Sequence, residues 1–378
     1  MQIVEEEPLE IDYGPEPSFR ALGIWLLLVA ILVFIMVLVG GITRLSEAGL
    51  AITEWKPVSG IVPPLNETDW QRAFIAYQQI PEYRIVNADM TLDEFKSIYW
   101  WEFSHRFLGR FIGVVFLIPF LYFLIRRRVP ADLKAPLWCL FLLGALQGAL
   151  GWFMVQSGLV DRLDVSHYHL ALHLCMGFLI YAYALWLSFG LLLPQAGAMA
   201  GFLETRMKKR AYLLAVLLIM QLVFGAFVAG LDAGKIYNTW PLMGERFFPE
   251  GLMGMTPWYL NTLENHTSVQ FIHRMLAYVL VGFALLHYLL ARSSLRPGTG
   301  RDSATLFLLV LSCQALVGIW TLLNGVPLML GLAHQLGALL VISALVWHFH
   351  CLTKRALTER VRRGDIGRIT MGMDERIV

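Results

Sequence analysis

The sequence predicts an all-α membrane protein: eight transmembrane helices in two parallel-repeat four-helix bundles, related by a pseudo-two-fold axis along the membrane normal. Three observations predict it. Of the 378 residues, 57% are hydrophobic and only 15% charged, and the mean hydropathy is +0.60, too little polar surface for a soluble protein of this size. About eight apolar stretches reach the roughly 20 residues needed to cross a bilayer. An unusual tetrapeptide occurs twice, as Phe103-Ser104-His105-Arg106 and Phe271-Ile272-His273-Arg274.

In chain order the apolar stretches cover 21–43, 98–125, 136–157, 167–193, 211–231, 267–291, 303–324 and 329–352. The segment before the first, 1–20, is acidic. It lacks the basic start of a secretory signal and the Arg-rich character of a transit peptide, so the first stretch reads as a retained span. The units expected are a cytoplasmic N-terminal tail at 1–20, a first bundle at 21–193, a cytoplasmic linker at 194–210, a second bundle at 211–352 and a basic cytoplasmic tail at 353–378.

Basic residues orient these spans. Arg126, Arg127, Arg128 and Lys134 fall between spans 2 and 3. Arg206, Lys208, Lys209 and Arg210 precede span 5, and Arg292, Arg296 and Arg301 lie between spans 6 and 7. Lys354, Arg355, Arg360, Arg362, Arg363 and Arg368 follow span 8. All four groups share one side, expected to be the cytoplasm, with both termini there. The loops at 44–97 and 232–266 then face outward. Trp100 and Trp101 suit the aromatic belt at that outer interface.

Other segments repeat as well. Ala48-Gly49 to Thr53-Glu54-Trp55 resembles Ala233-Gly234 to Asn238-Thr239-Trp240. Gln147, Gly151 and Trp152 match Gln314, Gly318 and Trp320. His173 and Trp186 are thirteen residues apart, as are His334 and Trp347. An even number of spans per half gives both halves the same orientation. The four Cys (139, 175, 313 and 351) lie in or at the ends of apolar stretches without a CxxC spacing, and neither long loop contains one. They read as small buried apolar residues, and a loop disulfide is excluded. With a net charge of +2, no nucleic-acid partner is expected.

Ionisable side chains within apolar spans are costly and are retained for function. His105, His173, His273 and His334 are all expected at similar depth in the outer half of the membrane, two per repeat. A lone histidine in such a place often does no more than tie two helices together. Matched pairs on facing helices can instead ligate a haem iron, whereas zinc needs three or four ligands at one site. Arg106 and Arg274 adjoin two of these histidines. Each is a candidate partner for haem propionates or a residue snorkelling to the interface.

The halves differ at one point. Glu102 lies three residues before His105, on the same helix face, and Gln270 holds the matching place. An acid beside one site and an amide beside the other points to one reactive site and one passive one, with Glu102 handling a proton or stabilising developing positive charge. His169, one turn from His173, is the rival ligand. His273 to His287 and His334 to His348 are both fourteen residues, which would suit stacked haems, but Pro119 and Leu187 stand at the corresponding places in the first half.

At these residues the chain resembles haem A synthase, in the branch shared by alphaproteobacteria and mitochondria. The resemblance runs from the first span to the last. It is carried by Glu102-Phe-Ser-His105-Arg106-Phe-Leu-Gly109-Arg110, Val165-Ser166-His167-Tyr168-His169-Leu-Ala-Leu-His173-Leu174, Ala229-Gly230-Leu231-Asp232-Ala233-Gly234 through Asn238-Thr239-Trp240-Pro241, Gln270-Phe-Ile-His273-Arg274 and Ala333-His334-Gln335.

The resemblance implies oxidation of the C8 methyl of haem O to a formyl group, yielding haem A for cytochrome c oxidase. It implies that His105 and His173 face the substrate haem O and product haem A, with Glu102 the essential acid. It also implies that His273 and His334 ligate a haem b cofactor that relays electrons. Haem O synthase and cytochrome c oxidase assembly factors are the implied protein partners, membrane lipid surrounds the chain, and a homo-oligomer is compatible with it. The alternative without haem modification is a dihaem b-type electron-transfer cytochrome. Relatives from Gram-positive bacteria carry a Cys pair in the outer loops that this chain lacks, and position 169, often Arg in relatives, is His here.

Overall fold

The computed structural model describes residues 17–54, 59–159, 165–193, 201–295 and 297–353. Trp55, Arg296 and the basic residues from Lys354 onward, used in the sequence reading, lie outside the described residues. The described chain is helical, in the order α1 (Pro17–Leu45), α2 (Glu67–Tyr77), α3 (Pro81–Ile85), α4 (Leu92–Ile125), α5 (Ala131–Leu159), α6 (His167–Leu192), α7 (Gly201–Gly230), α8 (Leu260–Leu263), α9 (His266–Ser294), α10 (Thr299–Leu323) and α11 (Leu328–Leu352). Among the described residues eight of these are long and apolar enough to cross a membrane. The short helices α2, α3 and α8 belong to the two long loops.

Two helices begin earlier than hydropathy alone suggests. α4 starts at Leu92 rather than near 98 because a capping box begins it. The Thr91 hydroxyl accepts from the Glu94 N–H, and the Glu94 carboxylate accepts from the Thr91 N–H at 2.7 Å, satisfying donors that a helix start leaves unpaired. α7 runs from Gly201, so the described part of the expected 194–210 linker is helix. Its Lys and Arg residues are good helix formers, and charge does not stop a helix that leaves the bilayer.

Helix α1 packs on α4 and α6, and α5 packs on both α4 and α6. Likewise α7 packs on α9 and α11, and α10 packs on both α9 and α11. The two sets meet where α6 touches α7 and α11, and where α1 touches α11. One apolar core runs through these contacts, with Leu22, Leu26, Phe120, Leu137, Ala184, Leu214 and Leu339 almost fully buried. Lipid is as apolar as this core, so close packing and internal hydrogen bonds hold the helices together. The Trp25 indole donates to the Val115 carbonyl at 2.9 Å. The Ser188 hydroxyl donates to the Gly23 carbonyl at 3.0 Å, and the Tyr181 and Ser343 hydroxyls meet at 2.6 Å. Each tie contributes on the order of 1 kcal/mol.

The two long loops fold back over the helix ends. In the first, Phe74, Tyr77, Phe95 and Tyr99 pack with Leu50, Ala51 and Val165 in a separate apolar cluster. Burial, reinforced by the Glu82 carboxylate, holds the Tyr77 hydroxyl protonated well above its ordinary range, and Asn87 Nδ2 donates to it at 2.9 Å. In the second, Asn238 Nδ2 donates to the Gly234 and Leu322 carbonyls at 3.0 and 2.8 Å. Asn261 is buried; its Oδ1 accepts from the Met255 N–H at 2.9 Å, and its Nδ2 donates to the Met255 and Trp258 carbonyls at 2.8 and 2.9 Å. Removing this amide strands backbone groups at a cost of about 1–3 kcal/mol each. Asn261→Ala is therefore expected to loosen the 246–260 loop, read as new limited-proteolysis cuts there with the helix content by circular dichroism unchanged.

Candidate functional site

Each repeated motif sits near the start of a spanning helix, where a three- or four-residue spacing puts its polar groups on one face. On α4 that face carries Glu102, His105 and Arg106. The Glu102 carboxylate is buried; it accepts from Arg106 Nε at 3.0 Å and Nη2 at 2.5 Å, and from the Ile52 N–H at 2.6 Å. Arg106 also donates to the Ile52 carbonyl at 2.7 Å and the Glu54 carbonyl at 3.2 Å. The first loop is thereby pinned across the helix face. Breaking such a buried ion pair by removing one partner costs about 3–5 kcal/mol.

The second half repeats this arrangement with one exchange. Arg274 donates to the Tyr237 carbonyl at 2.8 Å and the Thr239 carbonyl at 2.8 Å. Tyr237 and Thr239 stand where Ile52 and Glu54 do in the first loop. Gln270 donates to the Tyr237 carbonyl at 3.1 Å, whereas Glu102 accepts from the Ile52 N–H. Swapping the acid for an amide reverses the hydrogen bond, so the first half alone holds a buried carboxylate on this face. Four of the five guanidinium donors of Arg106 are committed. Arg274 Nε is buried without a partner among the described residues. Both arginines therefore secure the loops, with one donor left over on Arg106 and two on Arg274.

The four inward histidines rest on glycines. A Cβ on Gly40 of α1 would lie 3.3 Å from His105 Nε2, and one on Gly151 of α5 would lie 2.9 Å from His173 Cε1. Cβ atoms on Gly225 of α7 and Gly318 of α10 would come within 3.1 and 2.7 Å of Cε1 of His273 and His334. A Cβ would collide with His173 at Gly151 and with His334 at Gly318, and would crowd His105 at Gly40 and His273 at Gly225, so each ring rests in a cradle that glycine leaves open. The His105 and His173 rings face each other with centroids 6.5 Å apart and planes at 87°. His169 lies elsewhere, its ring edge-on to Phe153 at 4.7 Å.

The residues sequence reasoning missed as a site are the glutamines. Gln147 Nε2 lies 3.4 Å from His173 Nε2 and donates to the His173 carbonyl at 3.0 Å. Gln314 Nε2 lies 3.1 Å from His334 Nδ1 and donates to the His334 carbonyl at 2.8 Å. Gln221 Nε2 lies 3.1 and 3.2 Å from the two ring nitrogens of His273. The signal was present in the chain: each of these glutamines stands four residues before one of the cradle glycines.

The remaining histidines are not arranged in this way. His287 Nε2 and His348 Nε2 are 2.8 Å apart, and the Ser303 hydroxyl is 2.9 Å from His348 Nδ1. Two imidazoles on opposite faces of one haem iron need about 4 Å between nitrogens, at about 2 Å per bond, so this pair is a hydrogen-bonded contact between α9 and α11 rather than a second haem ligand set. His167 Nε2 reaches the Leu263 carbonyl at 3.0 Å, and His350 packs against Trp186 and Phe189. His266 is the exposed first residue of α9. Among the described residues no group of three or more His, Cys, Asp or Glu is placed to hold a bare metal ion.

The family model for cytochrome oxidase assembly proteins matches residues 23–346, the whole span of both motifs and all four cradles. The chain is 49% identical over 340 residues to the heme A synthase of Parvibaculum lavamentivorans, covering 90% of this chain and 96% of that one. The chain belongs to the haem A synthase family. The heme A synthases of Rhodospirillum centenum and Nitrosospira multiformis are 49% and 46% identical, over 345 and 336 residues, covering 90% and 89% of this chain and 91% and 94% of their own. Family membership makes the chain an oxidoreductase, and with its eight spanning helices a multi-pass protein of the bacterial inner membrane.

The cradles give a direct test of the paired-imidazole arrangement. Gly318→Leu is expected to push His334 off α10 and lower the bound haem per chain of the second half by about 10-fold or more. Gly151→Leu is expected to do the same for the first half alone. Haem-to-protein ratios by pyridine haemochrome, with haem type from extraction, separate the two outcomes.

Proposed function

We infer that this chain oxidises the C8 methyl group of haem O to a formyl group, making haem A for cytochrome c oxidase, and that its two halves divide the work. The observation that carries the division is the exchange of Glu102 for Gln270 in otherwise matched surroundings. The matched neighbours of each helix support two four-helix bundles in parallel, related by a pseudo-two-fold axis along the membrane normal. On this reading both termini are cytoplasmic and the histidine sites lie toward the outer face. The first bundle spans 21–193 and the second 211–352.

In the first half, His105 and His173 would hold the iron of the substrate haem. The glycine cradles and the facing rings fit a flat macrocycle bound between helices. Glu102 lies about one turn from His105, on the same side of α4. Oxidation of the methyl carbon moves protons and develops positive charge nearby, and Glu102 is the group placed to handle either. The Ile52 N–H and Arg106 fix where its oxygens point, so that the base is in place before the substrate arrives. Arg106 also offers its remaining donor to a substrate propionate.

In the second half, His273 and His334 hold haem b, whose iron supplies one-electron redox chemistry when bound. The residues present fit it: two cradled imidazoles, a glutamine at each, and Arg274 with a buried Nε free for a propionate. Gln270 carries no charge, so this half holds its cofactor without a proton-accepting group on the matching face. A dihaem electron-transfer cytochrome would have no use for a buried carboxylate in one half alone. Haem O synthase and cytochrome c oxidase assembly factors are the expected partners for supply and delivery.

Glu102→Gln is expected to keep the haem b spectrum and to abolish haem A formation when haem O is supplied, measured by pigment extraction and chromatography. A normal haem A yield in that variant would remove the catalytic role. For the topology, a single reporter cysteine is introduced in a background without the native ones. Glu250→Cys is expected to react with a membrane-impermeant maleimide in intact spheroplasts, and Arg127→Cys only after permeabilisation. The reverse pattern would invert the molecule.

A further inference from the structure

Three of the four inward imidazoles share one local pattern, and the fourth breaks it. Gln147–Gly151, Gln221–Gly225 and Gln314–Gly318 each place a glutamine one helical turn before the glycine on which a histidine rests. The amide reaches His173, His273 and His334 respectively. All three Oε1 atoms are buried without a partner among the described residues. The two ends of an amide exchange by rotation about one bond, so Gln221, which has no other hydrogen bond among the described residues, can present that acceptor to a ring N–H, while Gln147 and Gln314 hold the carbonyl of their own histidine. Under His105 the corresponding pair is Met36–Gly40. The Met36 methyl instead points to Gly109, 3.3 Å from where a Cβ there would lie. A thioether offers no N–H and only a weak acceptor, and among the described residues no hydrogen bond reaches the His105 ring.

We propose that Gln221 and Gln314 are positioning residues that lock the haem b ligands, and that Met36 leaves His105 unlocked so that the first half can exchange its haem. The proposal rests on the division of the halves given above. A partner on the second nitrogen of a ligating imidazole orients the ring and strengthens it as a donor, and its loss typically costs about 10–100-fold in affinity. A cofactor site must retain its haem through every turnover. A substrate site must admit haem O and let haem A go. The chain carries glutamine on both ligands of the first kind of site and on one ligand of the second. The unlocked ligand is the one next to Glu102, so release occurs on the side where the chemistry occurs.

The test uses the full-length protein in detergent, loaded with haem b and haem O, with excess apomyoglobin as the haem acceptor. Release rates are read by absorbance and haem identity by extraction. Gln221→Leu is expected to speed haem b release about 10–100-fold and to shift its midpoint potential positive, because the ring N–H loses its acceptor. Gln221→Glu, which keeps an acceptor, is expected to restore retention and shift the potential negative. Met36→Gln is expected to slow release of the first-half haem by a similar factor while leaving haem b release unchanged. Wild-type release rates in both Gln221→Leu and Met36→Gln would overturn the proposal. His273→Ala is the control for the underlying assignment. If it retains haem b, the division of the halves fails. If it loses haem b while Gln221→Leu behaves as wild type, the division stands and the locking role alone is lost.

Discussion

Everything in this molecule is arranged around four half-buried imidazoles held between helices in a lipid-surrounded bundle. A polar ring there has no water to satisfy it, so the protein must supply both space and partners. Space comes from glycine: Gly40, Gly151, Gly225 and Gly318 each let a ring lie against a neighbouring helix where a single added carbon would crowd it or, at Gly151 and Gly318, collide with it. Partners come from glutamine one turn away, at three of the four rings. Because both features recur at the same spacing, the packing of α1 with α4 and of α7 with α9 is set by the same geometry. The cradles therefore decide how closely these helices approach, beyond what apolar contact alone would fix.

The loops complete the sites from one end. Arg106 draws two carbonyls of the preceding loop onto its own helix, and Arg274 draws three. This makes the loop backbone part of the site wall. In the first half it presents the Ile52 N–H to Glu102; in the second it presents the Tyr237 carbonyl to Gln270. One acid-to-amide exchange is enough to reverse the hydrogen bond, and on the proposed reading it also separates the chemistry of the two halves. On the same reading a second exchange, Met36 against Gln221, changes how firmly a ring is held.

Much of this was legible in the sequence because membrane constraints are strong. Spans follow from length and hydropathy, and the repeated Phe-x-His-Arg placed the site helices. The Glu102 and Gln270 contrast was visible without coordinates. Helix starts were less so, since the Thr91 and Glu94 capping box extends α4 beyond its apolar stretch. The choice between His173 and His169 needed the fold. Both lie at the start of one helix, and only three-dimensional packing turns one ring to His105 and the other to Phe153. Similarly, the fourteen-residue spacing that links His273 to His287 and His334 to His348 keeps each pair on one helix face. It says nothing of the distance between facing helices, which leaves His287 and His348 in direct contact. The role of Gln221 was missed because its counterpart is Met36, and a repeat search rewards matches rather than the informative mismatch.

The central claim is that one chain holds two haem sites of different kinds. Native mass spectrometry of the purified protein, released from detergent with its pigments bound, tests it most directly. The account predicts a species carrying two haems of different mass, haem b together with haem O or haem A, and a lesser species that has lost only the latter. A chain carrying two haems b, or losing both with equal ease, would contradict it.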